Sequence, residues 1–146
     1  HNELLYLTTE FVDGVPVSAL QAAAGAGRRP VTAEVAAFIA AEACSGIAYA
    51  HARRDERGAP LEIVHLGIAP SRLLLSKTGT VKVIDFGIAK DLQEATLTGS
   101  STLWGTPLYM SPEQAQGKTI DARSDLYALG VIAFECLVLS LKNTLL

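Results

Sequence analysis

Charge and cysteine are both scarce in this sequence. Charged residues make up 18% of the 146, against about 25% in a typical soluble domain, and the formal charge at neutral pH is −3. Without a basic excess there is no electrostatic footprint for a phosphate backbone, so nucleic acid is not the expected ligand. The cysteines number 2, Cys44 and Cys136. Each sits in an apolar helical pattern with no C-x-x-C or Cys/His spacing, which predicts small buried thiols and not a disulfide or a metal centre. No basic, apolar, small-residue sequence follows His1-Asn2-Glu3, so no secretory signal is read and a cytoplasmic location is expected. A membrane-spanning run is not expected either. Leu126 to Leu141 is nearly all apolar, yet it is shorter than the roughly 20 residues a span needs and carries Glu135. A helix buried in a globular core is predicted there.

Apolar residues are plentiful at 49%, enough for one core and one folding unit. Leu4 to Thr9 reads as a strand, broken into a turn by Asp13-Gly14. Val17 to Ala24 reads as a short helix, ended by the Gly/Arg/Pro run from Gly25 to Pro30. Thr32 is an N-cap candidate with Glu34 in the first turn behind it, and Val35, Phe38, Ile39, Ala43, Gly46, Ile47 and Ala50 recur at helical spacing. A polar loop, Arg53 to Pro60, leads to short apolar strands at Ile63 to His65, Leu73 to Ser76 and Val81 to Ile84. Lys77-Thr78-Gly79-Thr80 suits the connection of a hairpin between the last of these. Asp91 to Gly105 is rich in Thr, Ser and Gly and reads as a long exposed loop, and a helix is predicted from about Ser124 to Leu137. The fold class is α+β.

The residues that spell a site begin at Asp85-Phe86-Gly87. A carboxylate at a strand end can hold a hard cation beside phosphate oxygens, and the glycine permits a sharp turn. Alone, the triplet reads first as a strand-terminal Asp in a turn. It is accompanied, in order, by Gly105-Thr106-Pro107-Leu108-Tyr109-Met110-Ser111-Pro112-Glu113 and by Asp125-Leu126-Tyr127-Ala128-Leu129-Gly130. Together these resemble the metal-binding Asp-Phe-Gly, the segment ending in Ala-Pro-Glu, and the start of the central buried helix of bacterial, eukaryotic-like serine/threonine protein kinases. Leu5 to Gly14 is similar to the family's fifth strand and hinge.

The resemblance implies a kinase-like large lobe, mostly helical with short β-hairpins. Residues 1–14 would be the last small-lobe strand and the hinge, and residues 15–146 an incomplete large lobe, with the rest of the small lobe and the terminal helices missing. It implies ATP and magnesium as cofactors. Thr9 would be the gatekeeper, Glu10 and Val12 the hinge contacts to adenine, Leu74 a further nucleotide contact and Asp85 the metal ligand. Asp125 would brace the catalytic loop. Glu113 would lack a downstream Arg partner, and Thr106 would stand where the family marks serine/threonine specificity.

The catalytic loop departs from the family pattern H-R-D-x-x-x-x-N. The corresponding run is His65-Leu66-Gly67-Ile68-Ala69-Pro70-Ser71-Arg72. Gly67 stands at the proton-acceptor position, Ala69 replaces a Lys or Ser that steadies the phosphate, and Arg72 puts a cation where an amide would coordinate magnesium. Leu66 replaces an Arg. His65 is expected to pack under Phe86 and to carry no chemistry. A positioned general base is worth roughly 10² to 10⁴ in rate, and no Asp or Glu lies between His65 and Lys82 to take its place. The expected state is a pseudokinase that binds a protein or, weakly, a nucleotide. The alternatives are part of an active kinase and the remnant of a truncated gene. Arg72 is expected to find its counter-ion in Asp85. Thr96, Thr98, Ser100, Ser101 and Thr102 read first as a solvated loop, and self-association through the apolar run after Val131 is expected of the isolated chain.

Overall fold

A computed structural model describes residues 8–27, 31–86 and 107–144. Expectations for residues 4–7 of the first strand, for Gly87, for the loop Asp91 to Gly105 with its Thr and Ser residues, and for Thr106 lie outside the described residues.

The elements follow the chain as β1 (Gly14–Pro16), α1 (Val17–Gly25), α2 (Ala33–His51), β2 (Leu73–Ser76), β3 (Val81–Val83), α3 (Pro112–Ala115) and α4 (Arg123–Thr144). Short 3₁₀ turns occupy Pro70–Arg72 and Pro107–Tyr109. The strands form an antiparallel sheet in the order β1-β2-β3, with Gly14 opposite Ser76 and Leu75 opposite Val81. The hairpin between β2 and β3 closes through Ser76 N donating to Thr80 O at 2.9 Å and turns at Gly79, whose φ of +80° suits glycine.

Asp13-Gly14 was expected to turn and instead leads into β1. Pairing with β2 decides this, because a strand of 3 residues carries no period of its own. A Cβ at Gly14 would strike the carbonyl oxygen of Leu75, so the close approach of β1 to β2 requires glycine. Ile63 to His65 forms no strand, since the amides of His65 and Leu66 are taken by a side chain, Asp125, and not by a neighbouring strand.

Helix α2 starts where its sequence says, with Thr32 Oγ1 accepting from Val35 N at 3.4 Å. Its buried face is Ala36, Ile39, Ala43, Ile47 and Ala50. Val35, Phe38 and Gly46, expected on that face, are exposed. The helix is so rich in alanine that bulk alone does not fix its phase, and small side chains turn inward where α2 packs along α4. By length and composition α2 could cross a membrane, but its apolar stripe faces the core. That core joins Val17 and Ala24 of α1, Ala36, Ile39, Ala43 and Ile47 of α2, Ile68, Leu73, Val81, and Ala128, Leu129, Ile132 and Cys136 of α4. Cys136 is fully buried, and burial pushes its thiol above the usual range. Cys44, expected to be buried, is exposed on α2, because it lies one residue off the inward stripe.

Candidate functional site

The loop from His65 to Arg72 is shaped mainly through its backbone. Asp125, buried near the start of α4, accepts from His65 N and Leu66 N at 2.8 Å each, and its Oδ2 also lies 2.8 Å from His51 Nε2 at the end of α2. A buried carboxylate is tolerable only when donors surround it, and here they come from the loop and α2. The clamp holds Leu66 at φ +61°, a left-handed conformation costly for a residue with a Cβ and kept only where its surroundings over-determine it.

His65 is buried against Phe86, ring centroids 4.6 Å apart, as its position implied, although it sits in a loop and not at a strand end. Its Nε2 lies 2.8 Å from the carbonyl oxygen of Ile84, and its Nδ1 accepts from Gly67 N at 3.3 Å. A carbonyl only accepts, so the proton is on Nε2 and the Nδ1 lone pair is engaged. No free lone pair remains for base chemistry.

Arg72 ends the 3₁₀ turn. Its N donates to Ala69 O at 2.9 Å, and its carbonyl accepts from Ile84 N at 3.0 Å, which ties the turn to the end of β3. From this fixed backbone the guanidinium reaches in opposite senses: Nη1 donates to Gly67 O at 2.5 Å, and Nε stands 3.7 Å from Asp85 Oδ2. The expected Arg72–Asp85 pair is therefore present. Asp85 itself is left-handed at φ +65°. Ala69 is buried and offers the site no functional group. Gly67, Arg72 and Asp85 thus come together around His65 and Phe86.

The expected nucleotide contacts come from other segments of the chain. Thr9, Glu10 and Val12 precede β1 in a stretch without regular secondary structure. The Glu10 side chain pairs with Lys82 on β3, Oε2 to Nζ 3.1 Å. Leu74 is half-buried on the central strand, opposite Pro16 and Lys82.

Several contacts were not read from the sequence. Gln114 donates through Nε2 to Leu66 O at 3.0 Å while its Oε1 accepts from Ser111 N, so α3 is a second brace on the loop. The S-x-x-Q capping box formed by Ser111 and Gln114 was a visible signal for the helix start, though not for the reach to Leu66. Glu113 accepts from Ser124 Oγ at 2.5 Å, and Ser124 Oγ accepts from Ser111 Oγ at 3.0 Å. The Ser124 hydroxyl, with further help from Glu113's own backbone amide, holds the carboxyl below its usual range. Tyr109 Oη donates to Glu135 Oε2 at 2.8 Å, and burial together with that carboxylate pushes the phenol up to about 12. Gln21 also donates to Glu135, at 3.3 Å, beside an open hollow of about 320 Å³ lined by Tyr109, Phe134, Val138 and Leu139.

Comparison with known proteins accords with this geometry. The family profile described as protein kinase domain matches residues 1–142. The tyrosine-protein kinase MasK of Myxococcus xanthus is 40% identical over 132 residues, 90% of this chain and 20% of the relative. Serine/threonine-protein kinase PknB of Mycolicibacterium smegmatis is 38% identical over 136 residues, and that of Mycobacterium tuberculosis strain H37Rv is 36% identical, each covering 92% of this chain and 20% of the relative. The chain thus spans about a fifth of the length of these curated relatives. With the profile match covering residues 1–142, and the Asp125 clamp, the Asp85 turn and the Ser111–Gln114 cap all in the same chain, this sequence belongs to the protein kinase domain family.

Proposed function

We propose that this segment is large-lobe structure from a serine/threonine-type kinase domain that does not transfer phosphate and serves as a binding module for a protein partner. One observation carries the reading. At the position where the family abstracts the substrate proton stands Gly67, and the only group it turns toward Arg72 is a carbonyl oxygen already bonded to the guanidinium. The neighbouring groups do not compensate: His65 has both ring nitrogens engaged, and Ala69 has no polar side chain. Losing a positioned base costs roughly 10² to 10⁴ in rate. Losing the cationic and metal stabilisation of the transferring phosphate costs at least as much again.

The frame around the lost chemistry is intact, which favours a retained scaffold over a decayed one. Asp125 takes the amides of His65 and Leu66, Gln114 braces Leu66 O, and Leu66 and Asp85 are held in the left-handed region. Radiolabel transfer from ATP, to itself or to a basic protein substrate, measured with the longest polypeptide that carries this segment, tests the reading. No transfer above a buffer control is expected. Transfer that Arg72→Ala or Gly67→Ala abolishes would show that this loop catalyses without an acidic base and overturn the proposal.

A further inference from the structure

The family implies a divalent cation at Asp85, and the donor set here does not fit one. Among the described residues no group of three or more His, Cys, Asp and Glu side chains could hold a metal ion. Asp85 has a guanidinium as its neighbour, with Nε 3.7 Å from Oδ2. A guanidinium carries no lone pair for a metal and repels a cation of any kind. Nor can Arg72 easily swing aside. Its backbone is fixed at both ends, by Ala69 O and by Ile84 N, and Nη1 is held by Gly67 O at 2.5 Å. Only 27% of its side chain is exposed.

We infer that Arg72 is a tethered cation that has taken the place of the divalent metal at Asp85, so that this site is insensitive to magnesium and manganese. The charge balance supports it. A carboxylate with a divalent ion leaves a net positive site for phosphate, whereas a carboxylate with a guanidinium is neutral. The substituted site therefore neither admits the metal nor attracts a polyphosphate through it. The inference rests on the assignment of this loop to the kinase family and is independent of whether phosphate is transferred elsewhere in the protein.

The test uses the 146-residue chain and manganese alone, a paramagnetic probe that broadens amide signals near its binding site. In the unmodified chain, signals of Gly67, Arg72 and Asp85 should broaden no more than those of other exposed acidic positions such as Asp55. The melting temperature should not move on adding magnesium or manganese. Arg72→Asn, which supplies an amide oxygen and removes the cation, should bring selective broadening at Gly67 and Asp85. If that variant fails to fold, the unmodified chain still decides the matter, because selective broadening centred on Asp85 with Arg72 in place overturns the inference. So does a folded Arg72→Asn that remains indifferent to manganese. Manganese binding by the unmodified chain without phosphate transfer would defeat this inference and leave the proposed function standing. Transfer without manganese binding at Asp85 would do the reverse.

Discussion

Asp125 shows how much of the site depends on a single side chain. Its carboxylate is 1% exposed and takes the amides of His65 and Leu66 together with the His51 ring. Removing it strands those buried donors, and breaking such an arrangement costs about 3–5 kcal/mol. Asp125→Ala should accordingly lower the unfolding free energy by that much in urea titrations, seen as a lower midpoint with little change in slope. A loss of less than about 1 kcal/mol would mean that the loop is held by something else. At this scale the sequence was informative where a motif carries the contact. The Arg72–Asp85 pair, the packing of His65 under Phe86 and the bracing role of Asp125 were all expected from the motif. Gln114 and the Tyr109–Glu135 bond were not, because no motif pairs these residues, and 48 and 26 positions apart nothing else in a linear pattern announces their meeting.

Among the elements, the junction of α3 with α4 has its own pH dependence. Glu113 is held below the ordinary glutamate value of 4.5, chiefly by the Ser124 hydroxyl. The folded chain therefore binds that proton more weakly than the unfolded chain. The stabilisation is complete above 4.5 and is lost as pH falls through the lowered folded value. Glu113→Gln should melt below the parent at neutral pH, and the gap should close as the solution is acidified past 4.5. A gap that stays constant across that range would show that the Ser124 contact does not depend on the charge. The elements also divide by how they are specified. Thr32 fixed the start of α2, and the Lys77–Thr80 connection fixed the hairpin, because caps and turns are local. The phase of α2 and the existence of β1 are set by what packs against them, so Val35 and Phe38 were placed on the wrong face and Gly14 in a turn.

For the molecule as a whole, the two thiols report on the outside and the inside of one fold. Cys44 is exposed and Cys136 lies fully buried on α4, its thiol held above the usual range by burial. A disulfide reagent such as DTNB should find one fast thiol in the native chain, and the second only as the core opens in denaturant. Two fast equivalents in native buffer would mean that α4 is not seated on α2. The seating of α4 also carries the Asp125 clamp, and that has a consequence for how such a chain can change over time. The loop is shaped through amide hydrogens, which every residue but proline possesses. Selection for shape therefore reads position 67 by its backbone alone, and a glycine satisfies it as fully as an acid would. The Gly67 amide donates to His65 Nδ1 whatever side chain stands there, so the loop's shape and its chemistry are specified by separate atoms.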